Sequence, residues 1–173
     1  MSHAIRPEQP GDASAVRRVH ESAFPTPVEA DLVDALRANG DLWLSLVAVD
    51  GWEVVGHVAF SPVTVNGEEV SGMGLAPVAV HPDRQKQGLG TRLTMEGLSE
   101  CRSAGLGFVV VLGWPAYYSR FGFRPAASYG LTSVYDAGDA FQVLELRPGG
   151  LPDSGGLVRY AAPFDALGGA SVG

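Results

Sequence analysis

The chain has 173 residues, 46% of them hydrophobic and 18% charged, with a formal net charge of −7. That length suits one domain with its own core, and the acidic balance argues against a general nucleic-acid binder, which would present a basic face. The single cysteine, Cys101, excludes an internal disulfide and suits a cytoplasmic setting, while no apolar run approaches the ~20 residues of a membrane span and Met1–Gln9 holds no signal-peptide core.

His3–Arg6 is long enough for an edge strand. Asp12–Ala23 reads as a helix, with Asp12 as N-cap and Ala15, Val16, Val19 and Ala23 at helical spacing. Thr26-Pro27-Val28-Glu29 is written like a capping box with proline at the first helical position, and Leu32, Val33 and Leu36 supply an apolar face that Asn39-Gly40 ends. Trp43–Val49 and Val54–Val65 read as strands around the turn Asp50-Gly51. Asn66-Gly67 is a type I′ hairpin signal, so Val70–Val80 is the returning strand, with Gly72 and Gly74 weakening its start and Pro77 at a bulge or a break in pairing.

Gly88–Ala104 is a helix with Leu89, Leu93, Met95, Leu98 and Cys101 on one side, stopped by Gly105. Phe108–Leu112 is a continuous apolar strand of the fully buried kind. Ala116–Phe121 is a short helix, and Leu131–Tyr135, Phe141–Leu146 and Leu157–Tyr160 are later strands. The chain from about 165 to 173 is expected to fray. With no repeat and no linker, this order predicts a single α+β domain over residues 1–173. Its sheet is mixed and covered by helices, and Val80 connects through a helix to a parallel Phe108 strand.

Chemistry concentrates in Val78-Ala79-Val80-His81-Pro82-Asp83-Arg84-Gln85-Lys86-Gln87-Gly88-Leu89-Gly90-Thr91-Arg92. A strand ends, a polar loop follows, and two glycines open a helix. Amide hydrogens at a helix N-terminus lack internal partners and favour an anion, and glycine keeps side chains out of its way. Arg84, Lys86 and Arg92 add positive charge, although each could equally be solvated. No Walker sequence is present, and Leu93 stands where a dinucleotide fingerprint needs its third glycine.

What remains is Gln85-x-x-Gly88-x-Gly90, preceded by Val80-His81-Pro82. This resembles the pyrophosphate motif of the GCN5-related N-acetyltransferase superfamily. Downstream, Tyr117-Tyr118-Ser119-Arg120-Phe121-Gly122-Phe123 is similar to that superfamily's Y-x-x-x-G-F segment, in the same order along the chain. The longer string Leu112–Phe123 resembles its YhbS-like branch.

The resemblance implies a mixed sheet whose parallel strands splay to form an acetyl-CoA crevice. It implies acetyl-CoA as co-substrate, bound by Val78, Ala79 and Val80 along the pantetheine arm and by Gln85, Lys86, Gln87, Gly88, Leu89, Gly90 and Thr91 at the pyrophosphate. It also implies an amine acceptor of unidentified kind, with Tyr118 as proton donor to the leaving thiolate and an amide hydrogen near Ala79 or Val80 for the developing oxyanion.

The family's acid on the strand before the glycine turn is missing from Ser71–Val80. Glu29, His57, Glu69 and an ordered water are therefore the candidate bases, with Glu29 named beside Tyr118 as catalytic and also assigned to the capping box. Cys101 reads as a buried inert thiol. Trp43, Trp52 and Trp114 read as core, with Trp114 a pocket candidate as well. The four histidines lack metal-ligand spacing, so no metal is expected. Neither a membrane nor a nucleic acid is expected as partner, and a homodimer is compatible. A non-catalytic acyl-CoA sensor on the same fold is the alternative, followed by an interaction domain without CoA affinity.

Overall fold

The structure, a computed structural model, describes residues 3–167; most of the stretch expected to fray, residues 168–173, lies outside them. In chain order the elements are β1 (Ala4–Pro7), α1 (Ala13–Ala23), α2 (Val28–Asn39), β2 (Leu44–Asp50), β3 (Glu53–Val65), β4 (Glu68–Val80), α3 (Leu89–Ser103), β5 (Phe108–Leu112), α4 (Pro115–Tyr118), β6 (Arg124–Pro125), β7 (Leu131–Ser133), β8 (Phe141–Glu145) and β9 (Gly156–Arg159), joined in places by 3-10 turns. Hydrogen-bonded strands follow the order β1-β2-β3-β4-β5-β8-β6, and β9 pairs with β3 and β7. The β4–β5 and β7–β9 pairs are parallel, so the sheet is mixed, as expected for this α+β chain. The chain divides into two compact units, Met1–Phe60 with Pro77–Gly97 and Ser61–Ala76 with Leu98–Gly173.

In the first unit, α1 and α2 bury their apolar faces in a cluster of Val16, Val19, Val33, Val47, Val49, Val54 and Ala79. Each valine of this cluster contributes about 1.5–3 kcal/mol on leaving water. Arg17 ties the helices together through Asp31 at 2.9 Å and Asp34 at 2.7 Å, and Arg37 reaches Glu8 at 2.6 Å. Two helix starts differ in part from expectation. Asp12 occupies the N-cap of α1 as expected but makes no side-chain cap bond there; its carboxylate accepts from Arg6 at 2.7 Å and from the Gln9 amide at 2.7 Å, closing the 3-10 turn that precedes α1. Pro27, not Thr26, occupies the N-cap of α2, and Thr26 Oγ1 from one position earlier accepts from the Val28 amide at a long 3.5 Å. Glu29 is then the second helical residue rather than the third, too early to reach back, so no capping box forms. The helix does end as expected, on Gly40 at φ +77°.

The hairpin turn of β3 and β4 has Asn66 at φ 53° and Gly67 at φ 79°, the left-handed pair that a type I′ turn demands. On α3 the buried positions are Leu89, Leu93, Thr94, Gly97, Leu98 and Cys101, whereas Met95 is 57% exposed. Two residues past Leu93, Met95 is rotated about 200° from it and cannot share its face. Thr94 is tolerated inside because its hydroxyl donates to the Gly90 carbonyl at 2.9 Å.

In the second unit every residue of β5 is buried, flanked by parallel β4 and antiparallel β8. Gly72 and Gly74 sit inside β4 rather than weakening it. A Cβ at Gly72 would collide with the Phe108 ring, and one at Gly74 with the Tyr160 ring. Parallel pairing joins Gly72–Gly74 to Phe108–Val110 and goes no further, although Leu75 and Ala76 continue β4 and Val111 and Leu112 continue β5. The parting of these strands is the expected splay. The two-residue β6 had no sequence expectation, being too short to show alternation.

Candidate functional site

The strand-to-helix connection after β4 lies in the first unit. His81 leaves β4 with its amide donating to the Val55 carbonyl at 2.8 Å, and a 3-10 turn over Pro82–Arg84 follows. Gln85, Lys86, Gln87 and Gly88 are exposed. Lys86 has φ 64° and Gly88 φ 81°, two left-handed residues that turn the chain sharply into α3. For lysine that conformation costs about 1 kcal/mol, a strain that glycine at 88 avoids. The first helical bond runs from the Arg92 amide to the Gly88 carbonyl at 3.0 Å. The amide hydrogens of Gln87, Gly88, Leu89 and Gly90 precede it and have no carbonyl one turn back. A Cβ built on Gly88 meets nothing within 4 Å among the described residues, so the chain is open at this point of the turn.

The three cations of this segment separate by role. Arg84 pairs with Asp50 at 3.3 Å, and Arg92 donates to the His3 carbonyl at 2.9 Å. Lys86 makes no ion pair among the described residues. Gln85 turns inward to the loop, its Nε2 donating to the Val80 carbonyl at 3.0 Å, and so braces the turn against the end of β4. Along β4, Ala79 is buried in the α1–α2 cluster, while Val78 and Val80 are half-buried.

Glu29 is also in this unit. It is 8% exposed, and its Oε1 has no hydrogen-bond partner. Released from the expected capping role, it is a buried carboxylate oxygen still lacking a donor. His57 is different. Its ring is fully buried, with Nδ1 2.8 Å from His20 Nε2 and Nε2 2.7 Å from Ser45 Oγ. Burial, reinforced by His20 and Arg37, holds His57 well below the usual imidazole range, and burial takes His20 down to about 4. Both are neutral at physiological pH, and His57, fully buried with both ring nitrogens engaged by His20 and Ser45, presents no free lone pair to an incoming ammonium. Glu69, in the second unit, is exposed to solvent.

The tyrosine segment belongs to the second unit. Trp114 starts α4, and its carbonyl accepts from the amides of Tyr117 and Tyr118, both at 3.0 Å. Tyr118 is buried, at 5% exposure, edge-on to Tyr117 at 5.0 Å and to Phe123 at 5.7 Å. A Cβ at Gly113 would collide with the Tyr118 ring, so glycine there is what lets the ring lie against the end of β5. Burial first, then Tyr117, pushes the Tyr118 phenol up from its ordinary value, keeping it protonated at neutral pH. Tyr117 stacks under the Arg120 guanidinium at 4.5 Å. A cavity of about 330 Å³ in the same unit is lined by Leu131, Thr132, Ser133, Tyr135, Asp136 and Phe141 among others; Phe141 is paired with Leu112, and the Gly113 amide donates to the Ala140 carbonyl at 3.0 Å.

Burial pushes the Cys101 thiol up to about 12, as an inert core cysteine requires. The tryptophans are not core: Trp52 is 96% exposed, Trp114 80% and Trp43 41%. Each stands at the margin of a strand or helix, where no opposing layer covers it. Sequence reasoning missed Tyr160, which is buried over Gly74 with its hydroxyl lacking a partner. The glycine at 74 was its only trace.

Residues 4–126 match the family model described as an acetyltransferase (GNAT) domain. The chain is 43% identical over 163 residues to the uncharacterized N-acetyltransferase YhbS of Escherichia coli K12, an alignment spanning 93% of this chain and 98% of the relative. The crystal structure of YhbS from Escherichia coli in complex with CoA superimposes with a TM-score of 0.91 at 42% identity, covering 94% of this chain and 92% of that one. A GNAT family acetyltransferase from Brucella melitensis in complex with acetyl-CoA gives a TM-score of 0.81 at 41% identity, covering 95% and 99%.

Proposed function

Because the chain belongs to the GCN5-related N-acetyltransferase family, we propose that it moves the acetyl group of acetyl-CoA onto a primary amine by direct attack on the thioester, the whole chain acting as one catalytic domain in the cytoplasm. The observation that carries this is the open N-terminus of α3. Left-handed Lys86 and Gly88 turn the chain into the start of α3, and open space stands where a Cβ of Gly88 would be; there the oriented amides of residues 87–91 and the helix dipole hold a diphosphate without need of a basic protein. Lys86, exposed on the turn, adds a positive charge. Gln85 acts through the loop, holding it against Val80. The pantetheine arm lies along Val78–Val80, the half-buried end of β4 beyond the last pair with β5. The solved CoA and acetyl-CoA complexes of the two relatives support the same ligand here.

The acceptor enters as an ammonium with a pKa of about 10.4 and has to lose a proton before it can attack. Glu29 takes it, directly or through a water: its buried, partnerless Oε1 is a lone pair held in reserve. Nitrogen adds to the thioester carbon, an amide hydrogen near Ala79 or Val80 steadies the oxyanion, the C–S bond breaks, Tyr118 protonates the departing thiolate, and the proton that the acylated nitrogen then sheds restores the Tyr118 phenol through solvent.

A free-thiol assay with acetyl-CoA and a panel of primary amines tests the reading. Thiol release with at least one amine is expected. Acetyl-CoA binding with no release for any amine would instead make the protein a sensor, and no binding would end the CoA reading altogether. Glu29→Gln should lower turnover about 100-fold at unchanged acetyl-CoA affinity; unchanged turnover would hand the base role to water alone.

A further inference from the structure

The Tyr160 hydroxyl takes no part in the chemistry above, yet it is buried at the place in the second unit where two parallel strands separate. The residue is 8% exposed, and its hydroxyl has no hydrogen-bond partner. Its ring lies directly over Gly74, which has no room for a Cβ, and Gly74 opposite Val110 is the last pair of β4 with β5. Phe164 flanks the ring at 4.9 Å and Tyr135 at 6.0 Å. The two adjacent phenols differ: Tyr135 donates to the Phe164 carbonyl at 3.3 Å, whereas Tyr160 donates to nothing. Burial raises the Tyr160 pKa, with smaller contributions from Tyr135 and Tyr118. The hydroxyl therefore stays neutral and able to donate, within electrostatic range of the Tyr118 phenol.

A buried donor without an acceptor is a standing cost to the fold. Since the oxygen is closed to solvent, its partner has to be something that enters the protein. The glycine at 74 admits this ring beside the parting strands, where a thioester inserted between them would bring a carbonyl.

We propose that the Tyr160 hydroxyl belongs to the acyl-transfer site and donates a hydrogen bond to the carbonyl oxygen of the bound acetyl thioester. The inference rests on the acetyl-CoA reading above. As the amine nitrogen bonds to the carbonyl carbon, the carbonyl electron pair moves onto oxygen and the hydrogen bond tightens. When the carbonyl re-forms, the C–S bond breaks, the sulfur takes its proton from Tyr118, and Tyr160 keeps its own.

Calorimetric titration of acetyl-CoA and of CoA into the wild-type protein, Y160F and Y135F tests this. Y160F keeps the ring over Gly74 and removes only the partnerless hydroxyl, so its melting temperature should not fall. Its affinity for CoA should match the wild type, while its affinity for acetyl-CoA should fall about fivefold, the worth of one neutral hydrogen bond. Y135F should preserve the wild-type ratio of the two affinities. Unchanged acetyl-CoA binding in Y160F overturns the proposal, as does an equal loss for both ligands or the same selective loss in Y135F. If Y160F does not fold, wild-type protein decides with S-ethyl-CoA, which lacks the carbonyl: weaker binding than acetyl-CoA supports the proposal and equal binding overturns it. A wild-type protein that binds neither CoA nor acetyl-CoA removes the acetyltransferase reading itself, an outcome distinct from all of these.

Discussion

Two glycines follow two parallel strands in this chain, and they are used in opposite ways. Gly88, after β4, stands at φ 81° with nothing within 4 Å of where a Cβ would be. Gly113, after β5, has its corresponding space taken by the Tyr118 ring. Among the described residues nothing approaches the Cβ position of Gly88, which suits a ligand, whereas that of Gly113 is filled from within and fixes a side chain. A glycine in a strand-to-helix turn thus says that something comes close, without saying whether that something is foreign or native. Substitutions at the two turns should therefore fail differently.

The largest effect is expected at the filled turn. Tyr118→Phe keeps the ring against Gly113 and removes the proton donor, so turnover should drop about 100-fold, roughly 3 kcal/mol of barrier, with acetyl-CoA affinity nearly unchanged. Steady-state kinetics beside calorimetry would show it, and a variant with wild-type turnover would leave Tyr118 as packing only.

Sealing has a second consequence, seen in the first unit, where His20 and His57 are buried neutral. Their pKa values in the folded state lie below the ordinary 6.5, at about 4 for His20. The unfolded chain therefore binds more protons between those values, and stability is full above about pH 6.5 and lost as pH falls toward 4. For His20 alone that is about 3 kcal/mol. Asp12, held below its ordinary 3.8 chiefly by Arg6, acts only at lower pH and does not blur this window. Urea midpoints measured from pH 7 to 4.5 should decline steadily; a flat profile would mean the imidazoles are not buried as neutral groups.

Gly113→Ala should cost about 2 kcal/mol of folding stability, because the new methyl overlaps the Tyr118 ring. A clear fall in melting temperature without ligand is the expected sign, and an unshifted melt would mean the ring moves aside freely. Gly88→Ala meets no such neighbour. Its cost is the left-handed backbone, about 1 kcal/mol, while the added methyl intrudes on the anion cradle. Calorimetry should find CoA affinity reduced about tenfold against a small stability loss. A large stability loss with intact CoA binding would reverse the contrast between the turns.

How much of this was legible differs by region. The anion-binding turn could be read almost residue by residue, because strand, polar loop, glycines and helix are local events within some fifteen residues. Helix ends set by local rules were read well where a single residue dominates, as Gly40 does, and less well where two signals competed. Thr26 and Pro27 both bid for the start of α2, the proline prevailed, and Glu29 moved out of reach of a cap. Periodicity placed Leu89, Leu93, Leu98 and Cys101 inside but swept in Met95, which only the helix angle excludes. Composition misjudged the tryptophans, since an apolar side chain at a turn has nothing to pack on.

The amino-acid order by itself determined most of the elements, the hairpin and glycine turns and the glycine–tyrosine pattern of the family, all of which depend on neighbours a few positions apart. What lies opposite each side chain was decided only by the tertiary structure. Packing left Glu29 Oε1 and the Tyr160 hydroxyl without partners, bound His57 between His20 and Ser45, and stopped β4 from pairing with β5 beyond Gly74. The physical reason is range. Propensities and capping act along the chain, whereas desolvation and hydrogen-bond satisfaction depend on groups that come together only when distant segments pack.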